Sequence, residues 1–168
     1  WIRVPGGAVL VVGSGHSGCL IAEELNNSGR KVFLSVGGTG RLPRRYRGKD
    51  IIEWWEMAGL LDLTPEQLPP GMGRFDAVPQ FSGTEKGHTM NPHQLARDGV
   101  ILLGHIRDAA NDKMVIAPDL YASLEKADQF ERDSCAMLDG YIQANVPDAA
   151  EESLPQSQDG YKQPVIEE

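Results

Sequence analysis

Six residues constrain this chain more than any others: Gly13-Ser14-Gly15-His16-Ser17-Gly18. A G-x-G-x-x-G run is weak on its own, because glycine-rich turns are common. Here Ala8-Val9-Leu10-Val11-Val12 precedes it, a short apolar β-branched run that reads as a strand buried on both faces. Ser17 to Asn27 follows as a helix with Cys19, Leu20, Ala22 and Leu25 on its apolar face and Gly29 as its stop. Val32-Phe33-Leu34-Ser35-Val36 is a second buried strand. The chain therefore begins with a β-α-β unit, whose glycines have separable tasks. Gly13 permits the tight turn off the strand, Gly15 lets a pyrophosphate approach the backbone, and Gly18 lets helix and strand pack closely. The helix N-terminus then offers free N–H groups and partial positive charge to that pyrophosphate.

The residues after the second strand distinguish one dinucleotide from another. An NAD or FAD site places an acid roughly 20 residues past the glycines, on the ribose 2′-OH. This chain has Ser35, Gly37 and Gly38 there, and no acid until Asp50. Seven of its 16 Lys and Arg (Arg30, Lys31, Arg41, Arg44, Arg45, Arg47, Lys49) fall between Arg30 and Lys49, whereas all 24 Asp and Glu lie outside that stretch. A basic island in a chain of net charge −8 points to a local anionic ligand, whereas nucleic-acid binding calls for a basic face across the domain. Guanidinium holds phosphate in a bidentate fork, so the pattern favours NADP(H), with Arg41, Arg44 and Arg45 as phosphate ligands and Ser35 as a hydroxyl donor. Tyr46 is the candidate to lie against the adenine, while Trp54 and Trp55 read as packing residues.

Downstream, Asp50 and Glu53 form a capping box for a helix Ile51–Ala58 with Gly59 beyond it, and Thr64-Pro65 signals another short helical turn. Leu68 to Thr89 reads as loop with a short extended piece near Pro79 to Phe81. Asn91-Pro92 opens a short helix ending at Gly99, Val100 to Gly104 is a third strand, and Ile106 to Ala117 is a hairpin turning around Ala110 to Asp112. A long amphipathic helix runs from Pro118 to about Asn145, with Gly140 as a place where it could bend. The expected domain is residues 1–147, followed by an acidic linker or tail over 148–168.

The expected class is thus α/β, a Rossmann-like NAD(P)-binding domain with a parallel sheet core, a β-hairpin and a long C-terminal helix. Two cysteines, Cys19 and Cys135, make no disulfide scaffold and read as reduced thiols in a cytoplasmic protein; four histidines show no zinc spacing, so no metal is expected. No apolar run reaches the roughly 20 residues of a membrane span, and no secretory leader is visible after Trp1. With 168 residues and no initiator Met, the chain reads as a module of a longer polypeptide.

Beyond these readings, GAVLVVGSGHSGCLIAEEL, GRKVFLSVGG and above all RLPRRYRGKDIIEWW resemble the NADPH-binding domain of flavin-dependent monooxygenases. The resemblance is to bacterial flavoproteins often labelled as involved in potassium transport, relatives of the flavin-containing monooxygenases of plants and animals. FSGTEKGHTMNPHQLARDGVILLGHI and LEKADQFERDSCAMLDGYI continue it, so that it covers roughly Pro5 to Asp148. It implies NADPH bound here and FAD on another domain of the same or a partner chain, with hydride passing to flavin, and reduced flavin activating oxygen to oxidise a small-molecule substrate. No second glycine fingerprint for FAD and no monooxygenase F-x-G-x-x-x-H fingerprint is present, so the isolated chain is expected to be inactive. Gly38 stands where many relatives carry arginine, and His16 where Asn or Gln is usual. The rival reading is a dinucleotide-sensing module that regulates a transporter or channel.

Overall fold

The computed structural model describes residues 6–67, 80, 87–110 and 112–152. Its organising element is a three-stranded parallel sheet of β1 (Val9–Val12), β2 (Val32–Ser35) and β5 (Ile101–Leu103), in the order β1-β2-β5. Val9 to Val12 pair in register with Val32 to Ser35, and Phe33 to Ser35 pair with Ile101 to Leu103. Between β1 and β2 runs α1 (His16–Asn27), so the expected β-α-β unit is present nearly residue for residue. One expectation fails. β1 is not buried on both faces: it lies at the sheet edge, only partly covered, with Val12 66% exposed. Apolar β-branched sequence sets strand propensity, but burial depends on whether a neighbour covers that edge.

Asp50 caps α2 (Ile51–Met57) as its sequence demands: its carboxylate accepts from Ile52 N–H at 3.0 Å, and Glu53 reaches back to the Asp50 N–H. Gly59 follows with φ 71°, a left-handed conformation that glycine adopts without strain. Just before α2, β3 (Arg45–Tyr46) and β4 (Lys49–Asp50) form a minimal antiparallel pair inside the arginine segment. At Thr64-Pro65 the expected short turn is present as a single hydrogen-bonded turn, with the Gln67 side chain accepting from Thr64 N–H at 2.9 Å. A 3-10 turn at Leu60–Asp62 precedes it, and Thr64 to Gln67 form one exposed turn closed by Gln67 N–H on Thr64 O at 2.9 Å.

Asn91 caps α3 (Pro92–Arg97), its side chain accepting from His93 N–H at 2.9 Å. The hairpin pairs β6 (Ile106–Ala110) with β7 (Lys113–Ile116), both largely exposed. The final element, α4 (Leu120–Asn145), runs unbroken through Gly140 for 26 residues, about 39 Å. That length lets it serve two cores. Near its start Leu124 joins Cys19, Ala22, Val32, Leu34, Met90, Leu95 and Leu102 around the sheet. Further along, Cys135, Leu138 and Ile142 pack with Leu42, Tyr46, Ile51 and Trp54. The arginine segment and α2 are thus fastened to the far half of α4. Beyond α4, Ala149 adjoins the second core and Arg47 Nε donates to Ala150 O at 2.9 Å. Of the extended piece expected at 79–81, Gln80 is described, and it forms a lone parallel bridge with Arg41. No helix among the described residues is long and apolar enough to cross a membrane.

Candidate nucleotide site

At the carboxyl end of β1 the chain turns at Gly13, whose φ of 99° requires glycine. Gly18, in the first turn of α1, lies against the Gly13 turn so closely that a Cβ on it would meet the Gly13 carbonyl oxygen at 1.9 Å. Gly15, the N-cap of α1, is different: a Cβ there would meet nothing within 4 Å, and no side chain caps the helix. The uncapped start of α1 thus lies beside a bare backbone at Gly15. This is the arrangement expected of a phosphate cradle. Ser17 is exposed on the same turn, and His16 is half-buried.

Ser14 is a structural member of the cradle. Its hydroxyl is 1% exposed as a residue and accepts from Gly37 N–H at 2.9 Å, tying the turn to the end of β2. The Ser14 carbonyl receives the Gln80 side-chain amide and the Cys19 thiol. Burial pushes the Cys19 thiol up to about 12, with Glu23 adding to it, so this sulfur is inert.

The three arginines are not equivalent. Arg41 is 2% exposed and turned inward. Its guanidinium meets Asp128 at 2.8 Å and Glu131 at 2.5 Å, both on α4, while His93 Nε2 from α3 lies 3.2 Å from the same Asp128. Burial by itself raises the Asp128 pKa, but hydrogen bonds from His93 and Arg41 outweigh it and hold the carboxyl below its usual range. At Glu131 the balance reverses: burial dominates and its pKa is raised despite Arg41. Arg44 is partly buried, with Nε 2.8 Å from Asp50, and its backbone N–H donates to Thr89. Arg45 is the outward member, its side chain 56% exposed and 3.8 Å from Asp50. Ser35 is 3% exposed and donates to Gly104 O at 2.9 Å, which joins the ends of β2 and β5.

Tyr46 does not form the expected platform. It is 4% exposed, packed in the second core, with its hydroxyl donating to Asp139 at 2.9 Å. Burial there, reinforced by Asp139, raises its pKa. An aromatic ring beside arginines in sequence can face either side of a strand, and on β3 Tyr46 faces inward while Arg45 faces out. Trp54 is fully buried, with Nε1 donating to Tyr46 O at 2.7 Å, in line with its reading as a packing residue.

His105, whose position just past the third strand reads as that of a satisfied half-buried side chain, is instead exposed, and with Asp119 and Lys126 it closes the rim. His105 follows β5, its Nδ1 2.9 Å from Asp119, and its Nε2 would lie 3.5 Å from a Cβ on Gly37. Asp119 is held below the usual carboxylate range chiefly by the His105 backbone N–H. Lys126 of α4 crosses above Gly38. The buried carboxylates did leave a trace in the sequence. Leu124, Ala127, Asp128, Glu131, Cys135 and Leu138 form one inward stripe of α4, and two acids within an apolar stripe demand an inward cation.

Across 70 residues, 41% of this chain, the sequence is 47% identical to a protein of Geobacillus kaustophilus (strain HTA426) named "Uncharacterized oxidoreductase CzcO-like". The shared segment spans 19% of that relative's length. No protein-family profile matches the chain, and no solved structure matches it.

Proposed function

We propose that this chain is a Rossmann-type NADPH-binding module of an FAD-dependent oxidoreductase of the monooxygenase type, which positions the nicotinamide for hydride transfer to flavin. One observation carries the reading: Gly18 is locked against Gly13 while Gly15, at the start of α1 and with no side chain capping it, borders open space, at the carboxyl end of a parallel strand. The similarity to a protein named an oxidoreductase favours a redox role over a sensory one.

The residues divide the work. Gly13, Gly15 and the first-turn amides of α1, with Ser17 and His16 beside them, would receive the pyrophosphate. Ser14 would hold the turn in register with β2. Arg45, supported by Arg44, would supply positive charge toward a 2′-phosphate, while Arg41 fixes the segment that carries them. Bound NADPH would supply the hydride; the FAD that accepts it would belong to another domain, of the same or a partner chain, which would also contact the small-molecule substrate. No residue of this chain is assigned a catalytic role.

Parallel titrations with NADPH and NADH test the reading. Saturable binding with a clear preference for NADPH is expected. Preference for NADH, or no binding of either, overturns it.

A further inference from the structure

Gly38 leaves the end of β2 without a side chain at the place where dinucleotide-binding units discriminate the ribose 2′ position. Another element covers that gap. Lys126, on the first half of α4, passes its stem over Gly38: a Cβ built there would lie 3.2 Å from Lys126 Cδ and 3.7 Å from Nζ. The Lys126 stem and ammonium thus lie in van der Waals contact with the place where a side chain of residue 38 would begin. Its neighbour Glu125 is engaged by Arg132 at 2.6 Å, and no carboxylate among the described residues pairs with Lys126. Asp119, the carboxylate on the same rim, is turned to His105 and Arg107.

We propose that Lys126, reaching over Gly38 from α4, determines specificity for the 2′-phosphate of the nucleotide, beside Arg45. This rests on the reading of the chain as a nucleotide-binding module and adds a residue 88 positions downstream of Gly38. An ammonium above a bare backbone, with no carboxylate partner among the described residues, stabilises a dianion there without first breaking such a pair. It leaves a 2′-hydroxyl almost unaffected. A side chain at residue 38 would crowd the flexible Lys126 stem, and Gly38 is not in a left-handed conformation, so a cation at either position can serve.

The test measures binding of adenosine 2′,5′-bisphosphate, AMP, NADPH and NADH to the chain and to Lys126→Ala, with inorganic phosphate as competitor. Lys126→Ala is expected to weaken the bisphosphate and NADPH about tenfold, to leave AMP and NADH within about twofold, and to leave urea unfolding unchanged. Adding Gly38→Arg to Lys126→Ala is expected to restore the NADPH preference. Inorganic phosphate is expected to compete only weakly, because the adenosine and the phosphate bind together. If the parent chain prefers NADPH and Lys126→Ala keeps the same preference, the role of Lys126 is overturned and the nucleotide reading stands. If Lys126→Ala weakens all four ligands equally, specificity is again overturned. If the parent chain binds no nucleotide, both fall.

Discussion

Arg41 and Asp128 are 87 residues apart in sequence and meet inside the protein at 2.8 Å, with side chains 2% and 3% exposed. The pair joins the segment after β2 to α4, and Gln80, bridged to Arg41 through the backbone, carries the connection on to the Ser14 carbonyl. The glycine turn is therefore braced through a buried ion cluster rather than by the local chain alone. Removing one partner leaves charge stranded in a poorly solvated place. Arg41→Met should cost about 3–5 kcal/mol in urea unfolding, and it should weaken NADPH and NADH by similar factors. A loss confined to NADPH would instead make Arg41 a phosphate ligand.

Stability should respond to acid in opposite senses at the two carboxylates of that cluster. Asp128 has a depressed folded pKa, so its stabilising contribution is complete above the unfolded value of about 3.9 and is lost as pH falls through the folded value. Glu131 has a raised folded pKa, so its charge weakens folding at neutral pH, and that cost is relieved as pH falls through the folded value toward about 4.3. Urea unfolding between pH 7 and pH 3 checks both. The deficit of Asp128→Asn relative to the parent should shrink at the acid end, whereas the parent should gain on Glu131→Gln.

Two glycines of the turn should separate stability from binding. Gly18→Ala would force a methyl into the Gly13 carbonyl, and relief of that overlap should cost about 1–3 kcal/mol or more, read as a fall in thermal midpoint. Gly15→Ala meets open space, so the midpoint should hold while NADPH binding weakens. Equal effects of the two substitutions on the midpoint would contradict this division.

Arg45 and Arg44 should part in the same way. Arg45 makes a long, exposed contact to Asp50, so Arg45→Ala should change stability by less than about 1 kcal/mol while weakening NADPH more than NADH. Arg44→Ala strands the partly buried Asp50 carboxylate that caps α2, so it should lower stability as well as NADPH binding. Chemical denaturation run beside the nucleotide titrations separates the two outcomes.

The local elements were legible because their causes are local. The apolar run, glycine turn and helix face of residues 8 to 27, the Asp50–Glu53 capping box and the Asn91-Pro92 start each depend on residues within one or two turns of one another.

The sequence by itself determined the parallel β-α-β unit, the position of the glycine turn and the presence of a basic segment after β2, all consequences of periodicity, composition and backbone sterics. Only the tertiary structure decided which way the polar groups point. Ser35 and Arg41, equally suited on paper to a phosphate, turn inward because Gly104, Asp128 and Glu131 wait there. Lys126, unremarked on its helix, is carried to the rim because α4 crosses the end of β2. Side-chain chemistry sets what a residue can bind, but the partner that reaches it is fixed by long-range packing, which no short stretch of sequence encodes.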